Sequence, residues 1–252
     1  VERVRATGAR AVQLALTPIV ENPSVWEGVF DALSAAGIEI ASGMLETVGE
    51  DYSTLDSIRA TGGVVPDATW SATRERAERV ARVAGERGIS LVTFHAGFIP
   101  HEPGAEREKL FGRLREIAAL FATHRCRIAF ETGQESAETL AHALDALGDG
   151  TVGVNFAPAN MILYGMGDPV AAVRALAPRI MQVHVKYATP TAVAVTWGSE
   201  VRAGTGAVDW RAFFAEVAKV PATVRLAVER EAGDDRVGDI QAALAMIAAH
   251  RG

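Results

Sequence analysis

The chain has 252 residues, of which 49% are hydrophobic and 22% charged, with a formal net charge of −6 at pH 7. That length suits one large α/β domain, and the balance is that of a folded globular protein with ample material for a core. The acidic surplus argues against a nucleic-acid surface, which needs a basic patch. No apolar run is long enough for a membrane span. One cysteine, Cys126, excludes an intrachain disulfide framework and fits a reducing compartment. The first residue is Val1 and no signal peptide opens the chain, so the expectation is a trimmed N-terminus and a cytoplasmic protein.

In chain order, residues 1–7 read as the tail of a helix stopped at Gly8. A strand over 11–16 follows, then a helix over 24–36 stopped by Gly37 and a strand over 38–41. A helix over 71–87 ends at Gly88 before a strand over 90–95. A helix over 105–123 leads to a strand over 127–131, and a helix over 136–147 to a strand over 152–156. Pro158 cuts this strand off, because proline has no N–H for the ladder. Small residues then form a loop up to Asp168 and Pro169, which read as an N-cap and a first helical position. A helix over 169–176, a strand over 181–186, a helix over 210–219, a strand over 224–229 and a helix over 236–249 complete the pattern.

Strict alternation of apolar strands with helices means a parallel sheet covered by helices. Seven strands and eight helical segments, beginning on a helix, predict a single (β/α)8 TIM-barrel domain over 1–252 that lacks its first strand in this chain. An open doubly wound sheet is the competing architecture, although such sheets usually stop at about five or six strands. An unpaired edge invites association, so a homo-oligomer is among the expected states. Two long connections, 42–70 and 188–209, both follow strands and so belong on the C-terminal rim as binding loops or lids. Gly62 with Gly63, and Gly204 with Gly206, are the candidate hinges.

The ends of the last four strands carry Glu131, Ala157, His184 and Glu229. Neighbouring strands lie about 4.8 Å apart, so side chains at consecutive strand ends can converge on one ion. Two carboxylates and an imidazole suit Mn²⁺, Mg²⁺, Co²⁺, Fe²⁺ or Zn²⁺. The bland alternative is that both glutamates are charged strand caps. His95 ends an earlier strand and faces the same mouth, as a substrate contact or a structural hydrogen-bonder. Lys186 shares a face with His184 by strand alternation, ready for a hydroxylate or phosphate, or for a salt bridge with Glu131 or Glu229. Asn160 either reaches a ligand from its loop or caps that turn. Glu231 is expected to pair with Arg230 or a neighbouring loop. Cys126 and the histidines at 101, 124, 142 and 250 carry no chemical signal, and the short glycine runs lack the spacing of a phosphate-binding fingerprint.

The segments F-E-T-G-Q-E (130–135), V-N-F-A-P-A-N-M-I-L-Y-G-M-G-D-P (154–169), Q-V-H-V-K-Y-A (182–188) and V-E-R-E-A-G (228–233) resemble the sugar phosphate isomerase/epimerase family of xylose isomerase-like TIM barrels. V-G-E-D-Y-S-T-L (48–55), T-G-G-V-V-P-D-A-T-W (61–70) and F-H-A-G-F-I-P (94–100) fit the same family, so the likeness spans nearly the whole chain. The resemblance implies metal ligands at Glu131, position 157, His184 and Glu229. It implies Glu131 and Glu229 as a catalytic base and acid on opposite sides of a sugar, with His95, Asn160 and Lys186 binding it. The implied activity is isomerisation or epimerisation of a sugar or sugar phosphate, within carbohydrate metabolism.

Two positions depart from the family pattern. The family usually has Asp in place of Ala157, and often Asp in place of Tyr187. Ala157 reduces four protein ligands to three, enough to hold a metal with waters but more weakly. Tyr187 is expected to narrow the pocket. These departures leave open a non-catalytic sugar-binding barrel or an engineered scaffold derived from the family.

Overall fold

The computed structural model describes residues 1–133, 135–148, 150–193 and 196–251. Gln134 of the F-E-T-G-Q-E segment, and Ala194 and Val195 of the second long connection, lie outside the described residues. The strands are β1 (Ala11–Ala15), β2 (Glu39–Met44), β3 (Leu91–Phe94), β4 (Arg127–Glu131), β5 (Val152–Phe156), β6 (Ile180–Val185), β7 (Ala188–Thr189), β8 (Ser199–Glu200) and β9 (Arg225–Val228). The helices are α1 (Glu2–Thr7), α2 (Thr17–Glu21), α3 (Val29–Ala35), α4 (Leu55–Thr61), α5 (Asp67–Glu86), α6 (Ala105–Thr123), α7 (Ala137–Leu147), α8 (Pro158–Tyr164), α9 (Pro169–Leu176), α10 (Trp210–Val217) and α11 (Arg236–Arg251).

Seven strands pair in parallel in the order β1-β2-β3-β4-β5-β6-β9, while β7 and β8 form a separate antiparallel pair. Strict sequential order is that of a barrel; a doubly wound sheet reverses direction at a switch point. Hydrogen bonds across the interior join β1 to β6 and β2 to β6, through Gln13 with His184 and Ser42 with Gln182. The sheet therefore curls into a near-closed barrel. β1 and β9 are its two edges, and a cavity of about 850 Å³ touching Val12, Gln13 and Ala227 lies between them.

Strand alternation sorts the side chains. Phe130, Val154, Phe156, Val183 and Val185 face out and are buried with Val80 and Ala84 of α5 and Leu114, Ile117 and Phe121 of α6. Each such side chain contributes roughly 1.5–3 kcal/mol on burial. The opposite face presents Gln13, Ser42, Thr93, Asn155, Gln182 and His184 to the interior, where they bond to one another. Side-chain caps fix several helix starts: Ser136 accepts from Thr139 N, Asp209 from Ala212 N, and Asp168 from Val170 N and Ala171 N. Each cap is worth about 1 kcal/mol.

The structure corrects three readings of the chain. The connection 42–70 is not a loop: β2 runs on to Met44, α4 is capped by Thr54, and α5 starts at Asp67. The expected helix over 24–36 begins only at Val29, because Gly28 at φ 73 turns the chain just before it. Pro158 does stop β5, but it also opens α8, since proline suits the first turn of a helix. Among the described residues, no helix is long and apolar enough to cross a membrane.

Candidate functional site

The inward stripe of β4, β5 and β6, continued just past β9, delivers Glu131, Asn155, His184 and Glu229 to one end of the barrel. Glu131, His184 and Glu229 each offer a ligand atom, all within 4.8 Å of one another. His184 Nδ1 lies 3.4 Å from Glu131 Oε1 and 3.2 Å from Glu229 Oε2. The other ring nitrogen, Nε2, is 2.6 Å from Gln13 Oε1. Nε2 also lies 3.0 Å from Asn155 Nδ2 and 3.3 Å from Gln182 Nε2, so three amide side chains fix the ring with Nδ1 turned toward the carboxylates.

A polar belt supports this arrangement. Gln13 donates to Thr93 Oγ1 at 2.7 Å, Ser42 donates to Gln182 Oε1 at 2.6 Å, and Gln182 donates to Asn155 Oδ1 at 3.3 Å. Asn155 donates to Glu131 Oε2 at 3.2 Å, and Asn160 to Glu131 Oε1 at 2.8 Å. Sequence reasoning passed over Gln13, Ser42, Thr93, Asn155 and Gln182. Their signal was present as single polar residues on the inward side of otherwise apolar strands. Asn160 rides on α8, and Gly133 lets it approach: a Cβ at Gly133, whose φ is 138, would meet Asn160 Cβ at 2.6 Å.

His184 Nδ1 and Glu229 Oε2 are both buried without a hydrogen-bond partner among the described residues. They lie 3.2 Å from each other, and Glu229 Oε2 is also 3.2 Å from Lys186 Nζ, so their contacts are ion pairs. A divalent cation shared with Glu131 would take a lone pair from each of them. The donor set therefore fits a metal of the kind bound by mixed oxygen and nitrogen ligands.

Charges in the cluster are tightly linked. Burial lowers the imidazole pKa of His184, but the carboxylates of Glu131 and Glu229 outweigh it and push it up to about 10. Burial also opposes ionisation of the two carboxyl groups, yet His184 holds Glu131, and His184 with Lys186 holds Glu229, below the usual carboxylate range. The Lys186 ammonium, despite burial, is kept charged by Glu229 and Glu231 at 3.2 and 2.6 Å.

A cavity of about 890 Å³ opens over the cluster, and His95, Asn160 and Lys186 all line it. His95 Nε2 stands 3.9 Å from Glu131 Oε1, and its ring faces Tyr52 at 6.1 Å. The β7–β8 pair lies in the connection 188–209, where Trp197 packs edge-on against Tyr164 at 4.8 Å between ring centres.

Three expectations about single residues change. Tyr187 does not narrow the pocket. By alternation it points outward, donates to Met246 Sδ at 2.6 Å and packs on Trp210 at 4.3 Å. Glu231 pairs with Lys186, whereas Arg230 pairs with Glu200 and Asp239. Gly63 is a close-packing position rather than a hinge, since a Cβ there would lie 2.1 Å from the Ala96 carbonyl. Ala157 is fully buried at the start of α8, its N–H donating to Thr132 Oγ1 at 2.8 Å, and it brings no ligand atom.

This curled parallel sheet, with its carboxylate and imidazole cluster at one end, defines the class. A family model described as xylose isomerase-like TIM barrel matches residues 1–250, and the chain belongs to that family. A xylose isomerase domain protein from Planctomyces limnophilus is similar at 28% identity and TM-score 0.92, over 99% of this chain and 91% of that one. A xylose isomerase-like TIM barrel protein from Mycobacterium smegmatis, in complex with magnesium, shares the fold at TM-score 0.74 and 14% identity, over 98% of this chain and 86% of that one. A D-allulose 3-epimerase from Methylomonas sp., in complex with D-allulose, shares it at TM-score 0.72 and 16% identity, over 99% and 89%. No curated protein matches the chain.

Proposed function

We propose that the protein is a metal-dependent sugar isomerase or epimerase, which moves a proton on the carbon next to a carbonyl. The observation that carries this reading is the convergence of Glu131, His184 and Glu229, whose ligand atoms lie within 4.8 Å of one another, beneath a large cavity lined by the two carboxylates. The magnesium of the Mycobacterium smegmatis relative and the D-allulose of the Methylomonas epimerase support it.

Glu131, His184 and Glu229 would hold Mn²⁺, Mg²⁺, Co²⁺, Fe²⁺ or Zn²⁺. Such an ion supplies Lewis-acid polarisation of the sugar's carbonyl and hydroxyl oxygens when bound. One of the two carboxylates takes the proton from the carbon beside the carbonyl, and the C–H electron pair moves toward the carbonyl oxygen. The other carboxylate returns a proton, to the opposite face of the same carbon in an epimerisation; in an isomerisation the proton goes to the former carbonyl carbon, while the hydroxyl proton of the deprotonated carbon passes to the former carbonyl oxygen. Asn155 and Asn160 hold Glu131 in place through both oxygens. Lys186, paired with Glu229 and Glu231, orients Glu229 and presents its remaining N–H to a neutral substrate hydroxyl, while His95 and Asn160 bind hydroxyls from the cavity wall.

Protein purified with Mn²⁺ is expected to retain it stoichiometrically and to exchange a sugar C–H for deuterium in D₂O. Loss of both in Glu131→Gln supports the proposal; a wild-type protein that retains no metal and exchanges no proton sinks it. The ligandless Ala157 favours one alternative, a barrel that binds a sugar without turning it over. Sugar binding indifferent to EDTA is the signature of that alternative.

A further inference from the structure

We infer that the sugar this pocket takes is uncharged and carries no phosphate ester, an inference that rests on the isomerase or epimerase reading above. TIM barrels that bind phosphate usually do so on backbone N–H groups of the loops after the last two barrel strands. The corresponding loops here are the one spanning 188–209 and the one after β9. In the second, the N–H groups of Glu231 and Ala232 form the kind of concavity that cradles an anion. It is already filled from within the chain. The Glu200 carboxylate, carried on β8, accepts from Glu231 N at 3.1 Å and Ala232 N at 3.4 Å through Oε1, and from the same two N–H groups at 3.4 Å through Oε2. Arg230 completes the cradle, donating to Glu200 Oε1 at 2.5 Å and to Asp239 Oδ2 at 2.8 Å.

Among the described residues, the lysine and arginine that line the cavity are already paired. Lys186 is held by Glu229 and Glu231. Arg76 is paired with Glu21 at 2.5 Å and donates to the Glu46 carbonyl oxygen at 3.0 Å. The same wall is lined by Glu46, Glu50, Glu131, Glu200, Glu229 and Glu231. A phosphate dianion entering here meets carboxylates and must displace Glu200 to reach the backbone N–H groups of Glu231 and Ala232. Hydroxyl groups face the opposite situation, because each carboxylate oxygen accepts from them. The indole N–H of Trp197, which also lines the cavity, is buried without a partner among the described residues and suits a sugar oxygen. Aromatic faces at Tyr52 and Tyr164 complete a lining suited to a neutral polyhydroxylated chain.

The test compares D-fructose with D-fructose 6-phosphate, and D-ribulose with D-ribulose 5-phosphate, on Mn²⁺-loaded wild-type protein. Binding is read by calorimetry and proton exchange by NMR in D₂O, with Mn²⁺ content measured separately. The free sugars are expected to bind and exchange, and each ester to bind at least about ten-fold more weakly than its parent, a 1.4 kcal/mol difference. Tighter binding or faster exchange of the esters overturns this inference while leaving the isomerase reading in place. Neither form binding or exchanging, in protein that holds Mn²⁺, overturns the isomerase reading and this inference with it. Glu200→Gln is expected to narrow the gap between ester and parent; an unchanged ratio in a folded variant shows that Glu200 does not exclude phosphate.

Discussion

His184 Nε2 lies 2.6 Å from the side-chain oxygen of Gln13, and Gln13 is anchored in turn on Thr93 at 2.7 Å. A residue on the first strand thus sets which nitrogen of a residue on the sixth faces Glu131 and Glu229. Partners of this kind are worth about 10–100-fold in metal affinity. Gln13→Leu is expected to weaken Mn²⁺ binding by that factor, measured by calorimetry. Gln13→Glu, which keeps an acceptor oxygen, is expected to bind nearly as wild type. A leucine variant with wild-type affinity shows that something else orients the ring.

Glu131 is the most fully held of the three ligand candidates, gripped by two amides and 5% exposed. Glu131→Gln keeps the size of the side chain and removes its charge. The expected loss in Mn²⁺ affinity is at least about 100-fold, larger than for the supporting Gln13. Elemental analysis after gel filtration reads it directly. Full metal content in this variant would move the ion elsewhere.

Much of the fold was legible because its signals are local. Glycines that stop helices and single polar residues that cap them set most boundaries, as at Gly8 and Asp168. The helix α6 and the strands β4 and β5 fall where the apolar pattern puts them. What the pattern hides is short or shared. α2, α4 and α8 have five to seven residues, too few to show a periodicity. At the site, the strand-end residues were visible singly. The bond between Gln13 and His184, 171 positions apart, exists only once the sheet curls. Tyr187 shows the reverse case: alternation from His184 already assigned it to the outer face.

Ala157 lies fully buried between Glu131 and His184 in strand order, with φ −114 and ψ 98, a backbone that any residue adopts. Aspartate also suits a helix N-cap, the place Ala157 holds on α8. Ala157→Asp is expected to tighten Mn²⁺ binding by about ten-fold or more. Without metal it buries a third carboxylate beside two others, and stability falls by about 1–3 kcal/mol. Thermal unfolding with and without Mn²⁺ separates these effects: the variant melts lower than wild type in EDTA and gains more from the ion. No change in either condition counts against position 157 facing the cluster.

Glu135 follows β4 in the loop beside the site, 7% exposed, with Oε1 lacking a partner among the described residues. Burial pushes its carboxyl up from 4.5 to about 8. A raised pKa means that the folded chain keeps a proton which the unfolded chain has released. Its contribution to stability is therefore whole below pH 4.5 and declines as pH rises, until it is lost above about 8. The span amounts to roughly 3 to 5 kcal/mol. Glutamine carries no such proton, so Glu135→Gln is expected to gain on the wild type steadily between pH 5 and 8. Urea unfolding of both proteins across that range measures the gap. Parallel pH profiles would mean that the carboxyl finds a charged or polar partner when folded, and that burial does not govern it.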